Sequence, residues 1–448
     1  MRKKALLALM LAATLLLSGC ALIVKDEAVD NATPILTLGD VVVTKEQVLA
    51  EARNQMDETA YMYALYGQAY DTESKENIAA ARNAAVTQLK TDMVLTAKAQ
   101  ELKLEEQLTE EDLADIETRA QSDLDSAVSY ITSNQLADSE LEGDALKEEA
   151  LRILEEDYGI TLDTYRESEK RSTIDDKLRD YAVQGVEVSQ EEIEAEYATR
   201  VATDKEKYAE AAGSYAAAAN NGYTVYYRPA GVRRVKQILI KFKEEDQTAI
   251  SEATTAVSTA RSKVSAAQAI LDDDTADEDA KAQAQADLDA ANAELDTAQT
   301  TLDTARETAF ANIDADADDV LAQLADGADW DTLMAEKNED PGMQSGETAE
   351  KGYAISADMT SFDAAFVEAG MGLEKVGDVT GKVRGDAYGY YIIRYVGDEP
   401  EGDVPLEEVQ ETIQSSLLSQ KQTETYNSTV EQWISEAGVK ENLGALND

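Results

Sequence analysis

The chain has 448 residues, of which 91 are Asp or Glu and 40 are Lys or Arg, giving a formal net charge of −51. That balance argues against nucleic acid as a partner, because phosphate binding needs clustered cations. With no histidine and a single cysteine, the sequence has no imidazole base, no Ser-His-Asp triad, none of the common zinc ligand sets and no intramolecular disulfide, and no metal or other cofactor is expected.

Arg2, Lys3 and Lys4 precede an apolar stretch, Ala5 to Leu17, which is shorter than the roughly 20 residues a membrane-spanning helix needs. Residues 1–19 read as a secretory signal. Leu17-Ser18-Gly19-Cys20 resembles the bacterial lipoprotein signal, where cleavage before the cysteine leaves it carrying a diacylglyceryl thioether. The resemblance implies lipidation of Cys20, a tether over 20–33, and an extracytoplasmic chain held on the outer face of the bacterial cell membrane. Acyl chains contribute ~0.8 kcal/mol per buried CH2, so two of them make a stable anchor.

Ile35 to Val43 holds two short apolar runs around Gly39-Asp40, which predicts strand, turn and strand. Thr44 with Gln47 three residues on is a capping-box pattern and predicts a helix start. Lys75 to Leu104 has Leu89, Met93, Ala97 and Leu102 at helical spacing. Further helices are expected to about Tyr208, one of them opened by Ser189 and Glu192. Val235 to Phe242, VKQILIKF, is the first long β-branched run and predicts a buried strand.

From Glu244 to Phe310 the composition turns to Ala, Asp, Thr and Gln. Ile250, Val257, Val264 and Leu271 recur every seven residues with Ala253, Ala260 and Ala267, and Leu288, Leu295, Leu302 and Ala309 recur with Ala291, Ala298 and Ala305. The acidic run Asp272 to Asp279 separates the two series. An antiparallel helical hairpin over 245–309 is expected, with arms of roughly 35 to 40 Å at 1.5 Å per residue. Beyond it, Val320, Leu321, Leu324, Trp330, Leu333 and Met334 predict an amphipathic helix broken near Gly327. Asp314, Asp316 and Asp318 imitate the start of an EF-hand, but Asp319 stands where that loop needs glycine and Ala325 where it needs glutamate, so no calcium loop is expected. Tyr388 to Tyr395, YGYYIIRY, predicts a second buried strand. A helix after Pro405 carries Val409, Ile413, Leu417 and Leu418 on one face, and it is expected to return to the N-terminal helices.

The two strand segments resemble the first and last strands of the parvulin class of peptidyl-prolyl isomerases. Gly352-Tyr353 and KVGDVTGKV at Lys375 to Val383 resemble later parts of the same pattern. Together with ILTLGDVVVTKEQV near the N-terminus, the layout resembles the PrsA-like extracytoplasmic foldases. That resemblance implies an α+β chain with a helical chaperone domain from 34–230 and 403–448. Between those two segments lies a parvulin-like domain, 231–398, with a four-stranded antiparallel sheet and the inserted hairpin. The implied partners are unfolded or newly secreted polypeptides.

The family's two strands usually carry one histidine each, and here Gln237 and Tyr391 stand at those positions. Position by position, the resemblance places Phe366 and Phe362 in a proline pocket, with Met359 and Met371 nearby, and Asp340 at the position of a Cys or Asp beside the twisting carbonyl. Asp340, Gln237 and Tyr391 are thus the candidate catalytic set. In the other reading of the same residues, Phe362 and Phe366 are core, Asp340 is a turn residue before Pro341-Gly342, and Gln237 and Tyr391 hydrogen-bond each other. Three functions remain: an isomerase that also binds unfolded chains, a holdase without catalysis, and a surface protein that docks a partner through the hairpin.

Overall fold

A computed structural model describes residues 27–446. The expected signal segment 1–19 and Cys20, the expected lipidation position, lie outside the described residues. Among the described residues no helix is long and apolar enough to cross a membrane.

In chain order the elements begin with α1 (Glu27–Asn31), β1 (Pro34–Leu38), β2 (Val41–Thr44), α2 (Lys45–Leu65), α3 (Lys75–Glu101), α4 (Glu110–Asn134), α5 (Gly143–Tyr158) and α6 (Leu162–Ala182). They continue with α7 (Gln190–Tyr208), α8 (Ala212–Asn220), β3 (Tyr227–Arg228), β4 (Arg233–Lys241), α9 (Glu244–Leu271), α10 (Glu278–Ala325), α11 (Trp330–Lys337) and α12 (Gly346–Lys351). The remainder is β5 (Tyr353–Ile355), α13 (Ala364–Gly372), β6 (Val383–Arg384), β7 (Gly389–Asp398), β8 (Gly402–Asp403), α14 (Leu406–Ala437) and β9 (Lys440–Glu441). The class is α+β.

The chain divides into two units, one made of residues up to 187 and from 418, the other of 188–417. In the first, Thr44 and Gln47 form the capping box that opens α2, and Thr109 with Asp112 and Thr161 with Thr164 do the same for α4 and α6. Each such cap satisfies backbone N–H groups that a helix start leaves unpaired and contributes about 1 kcal/mol. Strands β2, β1 and β9 form an antiparallel sheet in that order. Ile35, Leu36, Val48, Ala85 and Met93 close its core with Leu446 from the chain end. A second apolar cluster joins α4 and α5 through Leu124, Val128, Ile131, Ala150, Ile153 and Leu154.

The second unit is built on a four-stranded antiparallel sheet, order β5-β4-β7-β6. The central pair aligns Leu239 with Tyr391 and Gln237 with Ile393. Successive side chains point to opposite faces. Ile238, Ile240, Tyr390 and Ile392 meet Phe310, Ile313, Ala317 and Val320 of α10 on one face. Val235, Leu239, Tyr391 and Ile393 meet Phe366 and Val367 of α13 on the other, together with Tyr208, Tyr215 and Ala216. Gly389, at φ +144°, lets the start of β7 approach the Ile240 carbonyl where a Cβ would collide.

Two boundaries differ from the sequence reading. Residues 188–230 and 403–417 group with the sheet and not with the N-terminal helices: Ile193, Val201 and Tyr226 pack on Val404, Val409 and Ile413. The division therefore cuts α14 between Leu417 and Leu418. The hairpin has no end at 309 either. Helix α10 runs unbroken for 48 residues to Ala325, because no glycine or proline interrupts it before Gly327. Its last turns cover the sheet, and Ile250, Ala253 and Val257 of α9 belong to the same apolar cluster as Ile238 and Phe242. Asn312 donates to both oxygens of the buried Asp246 at 3.1 and 3.0 Å, fixing the base, while Lys263 pairs with Glu294 at 2.7 Å further out.

Candidate functional site

The sheet face that carries α13 opens into a cavity of about 430 Å3, within the range typical of small-ligand sites. Gln237, Leu239 and Lys241 of β4, Tyr391 of β7, Phe362 and Phe366 around the start of α13, and Asp340, Pro341, Tyr353, Asp363 and Tyr388 line it. Five of the seven expected site residues therefore meet there. Met359 and Met371 do not line it. Met359 is buried against Gly213 in the layer behind. Met371 lies five residues beyond Phe366, about 140° around the helix axis at 100° per residue, and its carbonyl accepts from Arg233 at 2.7 Å.

The position of Asp340 follows from an incomplete sheet edge. Strand β5 pairs with β4 only over Arg233–Val235, which leaves the next residues of β4 with unpaired backbone groups. The loop Asn338-Glu339-Asp340 supplies the missing partners. Leu239 N–H donates to Asn338 Oδ1 at 2.8 Å, Glu339 N–H to the Leu239 carbonyl at 3.0 Å, and Lys241 N–H to Glu339 Oε2 at 2.6 Å. Held this way, Asp340 accepts from Gln237 Nε2 at 2.6 Å and from the Tyr353 hydroxyl at 3.0 Å on one oxygen, and from Gly342 N–H at 2.9 Å on the other. A Cβ at Gly342 would strike the Tyr353 hydroxyl, so glycine there keeps this contact open.

Gln237 and Tyr391 are not hydrogen-bonded to each other. Gln237 is engaged with Asp340, and its own Oε1 is buried without a partner. The bond to a carboxylate fixes which end of the amide is the donor. The Tyr391 ring packs edge-on to Phe366 at 5.2 Å; Phe366 meets Phe362 at 5.7 Å, and Phe362 meets Tyr353 at 5.0 Å. Burial, followed by the neighbouring carboxylates, pushes the Tyr391 phenol above its ordinary value, and burial with Asp340 does the same to Tyr353. Both hydroxyls therefore remain protonated donors at neutral pH.

The cavity is thus lined by the aromatic rings of Tyr353, Phe362, Phe366 and Tyr391 and by the polar side chains of Gln237, Lys241, Asp340 and Asp363. It can hold a compact apolar ring and present a hydroxyl and a fixed carboxylate to the polar group attached. Sequence reasoning missed Tyr353, Asn338, Lys241, Asp363 and Tyr388. Tyr353 was visible only as the start of a strand, and nothing local in the sequence places it beside Asp340.

No family model matches this chain, and no curated protein matches it. Among solved structures, one from work on the SurA-like chaperones PEB4 and Cj1289 of Campylobacter jejuni is 13% identical, with a TM-score of 0.23, over 92% of this chain and 100% of that one. The foldase PrsA of Streptococcus pneumoniae is 12% identical, TM-score 0.24, over 92% and 97%. The peptidylprolyl isomerase PrsA of Bacillus anthracis is 14% identical, TM-score 0.18, over 59% and 96%. At these scores the structures do not superpose as whole chains.

Proposed function

We propose that this chain is a membrane-anchored extracytoplasmic foldase that binds unfolded polypeptides and accelerates cis/trans isomerisation of their X-Pro bonds. The observation that carries the reading is the cavity itself: the rings of Phe362, Phe366 and Tyr391 line it together with the triply held carboxylate of Asp340. The barrier to the reaction, ~18–20 kcal/mol, comes from amide resonance. As the C–N bond twists, the nitrogen lone pair that resonance had shared becomes localised. A hydroxyl donor near that nitrogen favours the twisted amide, and an apolar wall that grips the ring and excludes water removes the solvation that favours the planar one. In this scheme Phe366 and Phe362 hold the proline ring, Tyr391 is the donor, and Asp340, positioned by Gln237 and Tyr353, faces the carbonyl.

A binding-only reading draws on Asp340, whose carboxylate is already occupied by three donors. The two are separated by the isomerisation rate of an Ala-Pro-Phe peptide, followed by exchange NMR with the full chain. Acceleration that falls strongly in Phe366→Ala and in the half-buried Phe362→Ala supports the foldase. No acceleration, with undiminished suppression of aggregation of an unfolded client, replaces it with the holdase.

A further inference from the structure

The last turn of α2 and the Tyr66 that follows it present large apolar side chains to solvent over an arc of about 140° around the helix axis. Tyr61, Met62, Leu65 and Tyr66 are 65%, 49%, 60% and 76% exposed. Such a concentration marks an interaction surface more often than a scattering of single residues does. The segment is folded. Gly67 N–H donates to the Ala64 carbonyl at 3.0 Å and Gln68 N–H to the Tyr63 carbonyl at 2.9 Å. The Tyr63 ring lies 5.3 Å from Tyr70, which packs on the core of this unit. The aromatic groups are therefore displayed on a held scaffold, at low entropic cost of binding.

The charges within residues 57–73 have one sign, with the exposed Arg53 and Lys75 just outside that stretch. Between Asp57 and Glu73 the only charged residues are Asp57, Glu58, Asp71 and Glu73, all exposed. We infer that this end of α2 is a docking surface for unfolded polypeptide segments that carry lysine or arginine among apolar side chains. Tyrosine rings attract cations over their faces, and the four carboxylates add to that attraction. Met62 offers an unbranched, polarisable side chain that adapts to different apolar partners. A second copy of this chain would bring the same four carboxylates into contact with themselves, and an anionic lipid surface would be repelled. The surface lies in the first unit and does not depend on how the cavity of the second is read.

The test uses the full chain and a fluorescent, proline-free peptide of lysine, leucine, serine and glycine, so that an X-Pro site cannot take it up. Its affinity is measured by anisotropy against the same peptide with glutamate in place of lysine. The lysine peptide should bind more tightly, and increasingly so as salt is lowered. The combined variant Tyr61→Gln, Met62→Gln, Leu65→Gln and Tyr66→Gln should weaken binding about tenfold or more, as loss of several anchors does, with helicity by circular dichroism retained. The charge variant Asp57→Lys with Glu58→Lys should weaken the lysine peptide and strengthen the glutamate one. Unchanged affinity in the glutamine variant, or equal affinity for both peptides, overturns the inference. So does an α2-dependent gain in binding to phosphatidylglycerol vesicles, or an α2-dependent dimer in sedimentation.

Discussion

Strands β4 and β7 carry two different environments on their two faces. Toward α10, Ile238, Ile240, Tyr390 and Ile392 interlock with Phe310, Ile313, Ala317 and Val320, which are no more than 6% exposed. Toward α13, the alternate residues Gln237, Leu239, Tyr391 and Ile393 border the cavity or the layer behind it. Buried polar atoms without partners occur on both sides, Arg306 Nε and Trp330 Nε1 on the helical side, Gln237 Oε1 and Asn338 Nδ2 on the other. Of these four residues only Gln237 lines the cavity. One face is closed by α10, and the other carries a buried cluster of its own beside an open cavity.

The largest effect expected from this contrast concerns the hairpin. Replacing 245–309 with a short Gly-Ser loop removes Ile250, Ala253, Val257, Leu302 and Ala309 from the sheet core; denaturant unfolding of this unit should lose its cooperativity. Replacing only 264–293, beyond the Lys263–Glu294 pair, should change stability by less than about 1 kcal/mol, because loop closure depends weakly on length. Comparable losses for the two replacements would show that the outer arms also belong to the core.

A single substitution sharpens the same point. Phe310→Ala should cost about 3–5 kcal/mol by emptying the centre of the helical face, while the X-Pro exchange rate per folded molecule stays unchanged. Gln237→Leu on the opposite face should do the reverse. It loses a charge-assisted hydrogen bond but also an orphaned acceptor, so its stability cost should stay below about 1.5 kcal/mol, whereas activity should fall roughly tenfold as Asp340 is released, one lost hydrogen bond being worth about that factor. Urea melts and exchange NMR on each variant read both quantities.

A smaller effect lies in alkaline pH. Burial, with lesser help from carboxylates, raises the Tyr215, Tyr353 and Tyr391 phenols in the folded chain. A group whose folded value is raised contributes stability that is full below its unfolded value, about 10 for tyrosine, and is lost as pH rises past it. Stability should therefore decline above about pH 10, and less steeply in Tyr353→Phe. A decline of the same slope in that variant would contradict the assignment.

The β-branched and aromatic runs at 235–242 and 388–395 made the central strands legible, and the paired heptads made the hairpin legible. The end of the hairpin was not legible, because Phe310, Ile313, Ala317 and Val320 continue a helical pattern that no breaker interrupts. Strand β9, Lys440–Glu441, has too few residues to carry a pattern and exists only because β1 is there to pair with it. The residues Gln237, Asp340, Phe362, Phe366 and Tyr391 were legible through resemblance to a family pattern. The contact that organises them was not: Tyr353 reaches Asp340 only after the sheet forms, and Asn338 and Glu339 act as a strand substitute through their side chains.

The most direct test of the central claim is the X-Pro exchange rate measured by NMR with the full chain from pH 5 to 8, for the wild type, Tyr391→Phe and Phe366→Ala. With no histidine to titrate, the wild-type acceleration should be flat across this range. It should fall roughly tenfold in Tyr391→Phe, as loss of one hydrogen bond of about 1–1.5 kcal/mol requires, and further in Phe366→Ala, whose ring holds the substrate. A wild-type rate equal to the uncatalysed one, or an acceleration that both substitutions leave intact, would contradict the account.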